Sequence, residues 1–193
     1  MRVVPCDDAG LSAAAAALNA GCVAVIPTDT VYGLAAHPAF PSAVERLYTI
    51  KGREAGKPIA LLAADTAAAA RFLGGALPPG ARTLMERHWP GALTLVLPTA
   101  DGASFEGLRV PDHQWTRRLL AACGGTLRVT SANMSGRRPA TDAAAALTEV
   151  GLSADLVVDG GVSPGGVAST VVRIDTAGVV TVLRQGALEK LSI

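Results

Sequence analysis

Lys51, Arg53 and Lys57 fall inside one seven-residue window, in a chain with three lysines in all. Two residues of that window are glycine, so the backbone there can curl around a ligand. A guanidinium fork with two ammonium point charges suits a polyphosphate. Other polar clusters follow apolar runs. Pro27-Thr-Asp-Thr-Val-Tyr-Gly-Leu34 carries two hydroxyls, a carboxylate and a phenol. A turn needs only one or two such residues. Arg109 stands between Leu108 and Val110, where a guanidinium either pairs internally or binds a carboxylate. Thr130-Ser-Ala-Asn-Met-Ser-Gly136 offers hydroxyls and an amide to ligand oxygens, or to its own turn. Ser169-Thr170 and Arg184-x-Gly186 bound the last strand-like segments. Ligands of open α/β sheets sit at strand ends, so these groups can converge on one cleft. A cleft so lined suits an anionic nucleotide together with a small carboxylate.

The composition narrows the class. The chain has 193 residues, 17 Lys+Arg, 16 Asp+Glu and a formal net charge of +1. That length predicts one domain over residues 1–193. Half of the residues are hydrophobic and 17% are charged, which excludes a disordered chain. The near-neutral balance gives no global field for nucleic acid, though a local basic groove remains open. Cys6, Cys22 and Cys123 are odd in number and lack CxxC spacing, so neither a disulfide framework nor a zinc site is expected. No Walker-type GxxxxGK[ST], no GxGxxG, no HExxH and no GxSxG occurs. The longest apolar candidate, Leu11 to Ile26, is largely alanine and is broken by Asn19 and Gly21. Two acids follow closely on the basic N-terminus, unlike a signal peptide. The expectation is a soluble, cytoplasmic protein.

The elements that must position these groups are legible as an alternation. Asp8 to Ala20, Pro41 to Ile50, Asp65 to Leu73, Pro79 to His88, Pro111 to Ala122 and Asp142 to Val150 read as helices. Asp8 and Asp65 serve as expected caps, and Gly74-Gly75 as a stop. Cys22 to Ile26, Ile59 to Ala63, Leu93 to Leu97, Thr126 to Thr130, Leu156 to Asp159, Ser169 to Asp175 and Val179 to Arg184 read as strands. Asp175 to Gly178 predicts a hairpin between the last two. The pattern predicts a layered α/β domain with a mixed sheet flanked by helices.

The ordered set Pro27-Thr-Asp-Thr-Val-Tyr-Gly-Leu34, Lys51-x-Arg53, Lys57-Pro58, Pro90-Gly-Ala-Leu-Thr94, Arg109-Val-Pro111, Thr130-Ser-Ala-Asn133-x-Ser-Gly136, Ser169-Thr-Val171 and Arg184-x-Gly186 resembles the YrdC-like family. The likeness is to its stand-alone bacterial threonylcarbamoyladenylate synthases, of the TsaC type, and runs from about Ala20 to Gly186. It implies a YrdC-like layered fold, classed as α+β in some schemes, with an open cationic cleft. It implies that L-threonine, bicarbonate and ATP, with Mg²⁺, give L-threonylcarbamoyladenylate and pyrophosphate. A transferase complex then modifies tRNA next to the anticodon. By the same resemblance Lys51 and Arg53 form the catalytic basic pair. Thr30, Arg109, Ser131 and Ser169 hold threonine, and Arg53, Lys57, Asn133, Thr141 and Arg184 contact ATP. No metal ligand is assigned. Glu54 follows the Lys-x-Arg where the family usually has Pro, Leu62 stands where many members have His, and Asp29 where many have Glu.

Two other readings compete. One is an RNA-binding module of the same fold, with weak tRNA binding as its milder form. The 4% aromatic content gives that reading little stacking surface. The other is a carbamoyladenylate-forming enzyme with a different acceptor.

Overall fold

The computed structural model describes residues 1–54, 57–74, 77–188 and 191. The chain runs β1 (Arg2–Pro5), α1 (Asp8–Asn19), β2 (Val23–Ile26), β3 (Gly33–Ala36), α2 (Pro41–Lys51), β4 (Leu61–Ala63), α3 (Thr66–Leu73), α4 (Ala81–His88), β5 (Leu93–Pro98), β6 (Phe105–Arg109), α5 (Gln114–Ala122), β7 (Thr126–Ser131), α6 (Ala143–Glu149), a single 3₁₀ turn at Gly151–Ser153, β8 (Leu156–Asp159), β9 (Thr170–Ile174) and β10 (Val180–Arg184). The strands form one sheet in the order β1-β8-β2-β3-β7-β4-β6-β5-β9-β10. It is mixed, as expected: β1 and β2 lie parallel to β8, β4 to β6 and β5 to β9, while β2–β3, β3–β7 and β9–β10 are antiparallel. The β9–β10 pair is the expected hairpin.

Most expected elements are present with ends moved by a few residues. Asp65 and Asp142 cap α3 and α6, each accepting a backbone N–H at 2.7 Å. At α1 the cap is Asp7 and not Asp8: Asp7 accepts from Gly10 N at 2.7 Å, and Asp8 is already in the first turn. Pro111 does not start α5; His113 caps it and Pro111 stays in the approach. The expected stop at Gly75, and Lys190, lie outside the described residues.

Side chains alternate across each strand, and this parity builds the site. On β2, Val23 and Val25 pack toward α2 and α6, whereas Ala24 and Ile26 pack toward α1 and α5. On β5, Leu93, Leu95 and Leu97 enter the core with Leu84 and Met85 of α4. The intervening Thr94 and Val96 face a cleft. On β6, Leu108 joins that same core, and Phe105, Gly107 and Arg109 face the cleft. One face of the sheet is thus covered by α2, α6, α3 and α4. The other face is covered by α1 and α5 over one half only, which leaves the β4–β6–β5–β9 floor open.

Tyr32 ties this floor to the long connection between β8 and β9. Its side chain is fully buried, its hydroxyl donates to Gly161 O at 2.7 Å, and Gly160 N donates back at 3.0 Å. Tyr32→Phe leaves both backbone groups without that partner. It should lower unfolding free energy by about 1–3 kcal/mol in urea titrations.

Candidate active site

The open floor forms a cavity of about 390 Å³, lined by Thr28, Thr30, Leu62, Thr94, Arg109 and Ser169 among others. A second cavity of about 350 Å³ is lined by Lys51, Arg53, Glu54, Lys57, Asn133, Ser135 and Arg137. Arg53, Ser131, Ala168 and Arg184 line both, so the two are lobes of one cleft. Nine of the ten residues named from sequence therefore line one lobe or the other. Thr141 lines neither; its carbonyl accepts from Ser163 N at 2.7 Å.

Arg109 is the anchor of the first lobe. Strand β6 delivers it on the cleft face, in register with Leu62 of β4. It is buried at 5% exposure, which demands partners. Nε donates to Gly91 O at 2.8 Å, Nη1 to Thr30 Oγ1 at 2.8 Å and Nη2 to Asp29 Oδ1 at 2.5 Å. Burial pulls the guanidinium pKa down and Asp29 opposes this, but an arginine stays charged at neutral pH. Three anchors in one plane fix the fork and leave further N–H groups of the same nitrogens to donate. Asp29 is legible as part of a polar run and as a position where many family members have Glu, but its pairing across 80 residues has no sequence signal.

Hydroxyls complete that lobe. Thr28 Oγ1 donates to Val31 O at 2.7 Å and lies 3.1 Å from Thr30 Oγ1. Thr94 Oγ1 and Ser169 Oγ are 2.8 Å apart. Thr94 was not singled out as a site residue. Its signal is a lone hydroxyl in the alternation Leu-Thr-Leu-Val-Leu, which puts it opposite the core leucines.

The cations of the second lobe are held differently from one another. Arg53 follows Gly52, whose left-handed φ of 56° ends α2 and turns the chain toward the cleft. Its Nε donates to Lys57 O at 3.0 Å and its Nη2 to Pro58 O at 3.2 Å. Arg184 grips Ser169 O through Nη2 at 2.7 Å and Nε at 3.2 Å. Burial and the neighbouring Arg53 both pull its pKa down. Lys57 is exposed and pairs with Glu54 at 3.3 Å, so the carboxylate that the sequence puts into this loop faces a lysine at the surface. Lys51, in contrast, is buried, with Nζ 2.5 Å from Ser131 O and 2.6 Å from Asn133 O. Burial, with Arg53 adding, pushes its pKa down to about 8; Glu149 opposes this.

Among the described residues no group of three or more His, Cys, Asp or Glu can hold a metal ion. Among the described residues, Glu54 is the one carboxylate on the second lobe's lining, and it pairs with Lys57. No helix among the described residues is long and apolar enough to cross a membrane.

A mixed sheet with helices on both faces, and a two-lobed cleft open over half of one face, defines the class of α/β fold. Residues 16–186 match the family Sua5/YciO/YrdC, described as "Telomere recombination", and the chain belongs to that family. It is 35% identical over 196 residues to a Bacillus subtilis protein named threonylcarbamoyl-AMP synthase, covering 97% of this chain and 56% of that one. It is 35% identical over 185 residues to a Mycobacterium tuberculosis protein named putative threonylcarbamoyl-AMP synthase, covering 92% of this chain and 84% of the relative. The structure of P. abyssi Sua5 complexed with L-threonine superposes with a TM-score of 0.89 at 29% identity, over 96% of this chain and 58% of that one. The chain thus spans little more than half the length of two of these relatives.

The Asp29–Arg109 pair is the interaction on which the first lobe stands, and both side chains are nearly buried, at 12% and 7% exposure. Asp29→Ala strands a buried guanidinium. It should lower stability by about 3–5 kcal/mol in denaturant unfolding.

Proposed function

We propose that the chain is an L-threonylcarbamoyladenylate synthase, a nucleotidyltransferase. It takes L-threonine, bicarbonate and ATP and releases threonylcarbamoyl-AMP, pyrophosphate and water. The observation that carries this reading is the join between the lobes. A buried, pre-oriented guanidinium with four hydroxyls lies on one side, cations lie on the other, and Ser131, Arg53 and Arg184 border both. The names of the relatives and the threonine complex of the P. abyssi protein point the same way.

In this reading the threonine carboxylate meets the Arg109 fork, supported by Thr30 and by the Thr94–Ser169 hydroxyl pair. The triphosphate lies along Arg53, Lys57 and Arg184, with Asn133 at the edge of that lobe. Mg²⁺ enters on ATP as part of the substrate. Threonine, as its free amine after its ammonium proton passes to solvent, attacks the bicarbonate carbon, a C–O bond breaks and water leaves, giving a carbamate. Its oxygen attacks the α-phosphorus, the bond to the bridging oxygen breaks, and pyrophosphate leaves. Negative charge grows on the departing oxygens, where the fixed cations act at no cost of reorganisation. Among the described residues, those that line the first lobe include no carboxylate or imidazole. In this reading the chain contributes positioning and charge stabilisation. The adenylate then passes to a tRNA-modifying transferase complex, in the cytoplasm.

The test is pyrophosphate release from ATP with Mg²⁺ and bicarbonate. Release should depend on L-threonine, with serine and valine much poorer substrates. Arg53→Ala should slow it by about 10²–10³-fold while the protein stays folded. Release without threonine would indicate another acceptor. No release from a folded, ATP-binding preparation would bring the RNA-binding reading forward.

A further inference from the structure

Lys51 lies in the basic cluster yet behaves unlike the other cations there. It is the last residue of α2 and is 2% exposed, whereas Lys57 is exposed and Arg53 half-buried. Its ammonium makes two short bonds to the backbone, to Ser131 O and Asn133 O. Ser131 Oγ and Asn133 Oδ1 lie at 3.5 Å on the same nitrogen. Its own carbonyl accepts from Ser135 N at 2.9 Å. One residue thus holds the segment 131–135 at three points, through both of its ends.

The neighbours finish the brace. Ala132 N donates to Tyr32 O, and Met134 N donates to Glu149 Oε2. Asn133 Nδ2 donates to Met134 O and Arg137 O at 2.9 and 2.8 Å. The arrangement has an electrostatic consequence. Two carbonyl oxygens at the margin of a lobe meant for phosphate would repel the ligand. Bonded to a buried ammonium, their partial negative charge is offset by the lysine's positive charge. Ser131 lines both lobes, so a change in this segment reaches both.

We infer that Lys51 is a positioning residue: it braces the backbone of Ser131 to Ser135 through the carbonyls of Ser131 and Asn133, sets both lobes of the cleft together, and is not itself a phosphate ligand. This rests on the function proposed above, because it assigns the lobes to threonine and triphosphate. A lysine that touched phosphate would serve the second lobe alone. A brace serves both.

Calorimetric titration of L-threonine without ATP, and of α,β-methylene-ATP without threonine, separates the two. In Lys51→Met both affinities should fall by about 10- to 100-fold, with circular dichroism showing a folded protein. Unchanged threonine affinity with lost analogue affinity would overturn the brace. A measurement on the wild type needs no variant, since the chain has three lysines and their ¹⁵Nζ signals are few. The Lys51 ammonium protons should exchange slowly, and adding the analogue should move the Lys57 signal and leave that of Lys51 in place. A Lys51 signal that moves as far as that of Lys57 would overturn the inference. If the wild type binds neither ligand, the proposed function fails. The ligand-free spectrum still decides the brace: slow ammonium exchange supports it and fast exchange overturns it.

Discussion

A buried guanidinium dictates much of what surrounds the cleft. Taking Arg109 out of water is costly unless its donors are matched and its charge is opposed. Asp29 opposes the charge, Thr30 and Gly91 match the donors, and these three come from two separate loops. The loop after β2 must therefore sit against the end of β6. Gly165 N donates to Asp29 O, which draws the β8–β9 connection over the same point. A Cβ at Gly165 would come within 2.7 Å of Asp29 O, so this approach has room for glycine alone. The pair is less a source of stability than a geometric commitment, in which removal of either partner leaves the other stranded.

Strand parity supplies the second constraint. β5 and β6 are half-buried strands whose leucines face α3 and α4, so the alternate positions must face outward. Those positions hold Thr94, Val96, Phe105, Gly107 and Arg109, and they make the cleft floor. Thr94 near the start of β5 and Arg109 at the end of β6 put polar groups at one end of these two strands, while Val96 and Phe105 lie further along them. The floor is amphipathic along its length, in keeping with a ligand that has a charged and a less polar part.

Much of this was legible in the chain. Aspartates ahead of alanine-rich runs marked α3 and α6, because a carboxylate that accepts early helical N–H groups leaves a local trace. Arg53, Lys57, Asn133, Arg109, Ser131, Ser169 and Arg184 were legible through the ordered motifs. Three strands were not. β3 reads Gly-Leu-Ala-Ala and has no β-branched residue, and it is a strand because β2 and β7 flank it. β6 carries Glu106 and Gly107 in a segment that resembles a loop. β1 is short and exposed at all but Val4, and is held by parallel pairing to β8, over 150 residues away. Non-local pairing decided each of these. The same holds within the site, since neither the Asp29 partner of Arg109 nor the carbonyl partners of Lys51 follow from spacing. Thr141 shows the converse, a position named only through the family resemblance, which is not among the residues lining the cleft.

The most direct test of the two-lobe account is an experimental structure with L-threonine and α,β-methylene-ATP bound together. The account predicts the threonine carboxylate on the Arg109 fork within the Thr30–Ser169 lobe. It predicts the triphosphate along Arg53, Lys57 and Arg184, and the amino group and α-phosphorus facing one another across Ser131. A triphosphate seated over Arg109, or threonine lodged among Lys57 and Arg137, would contradict it.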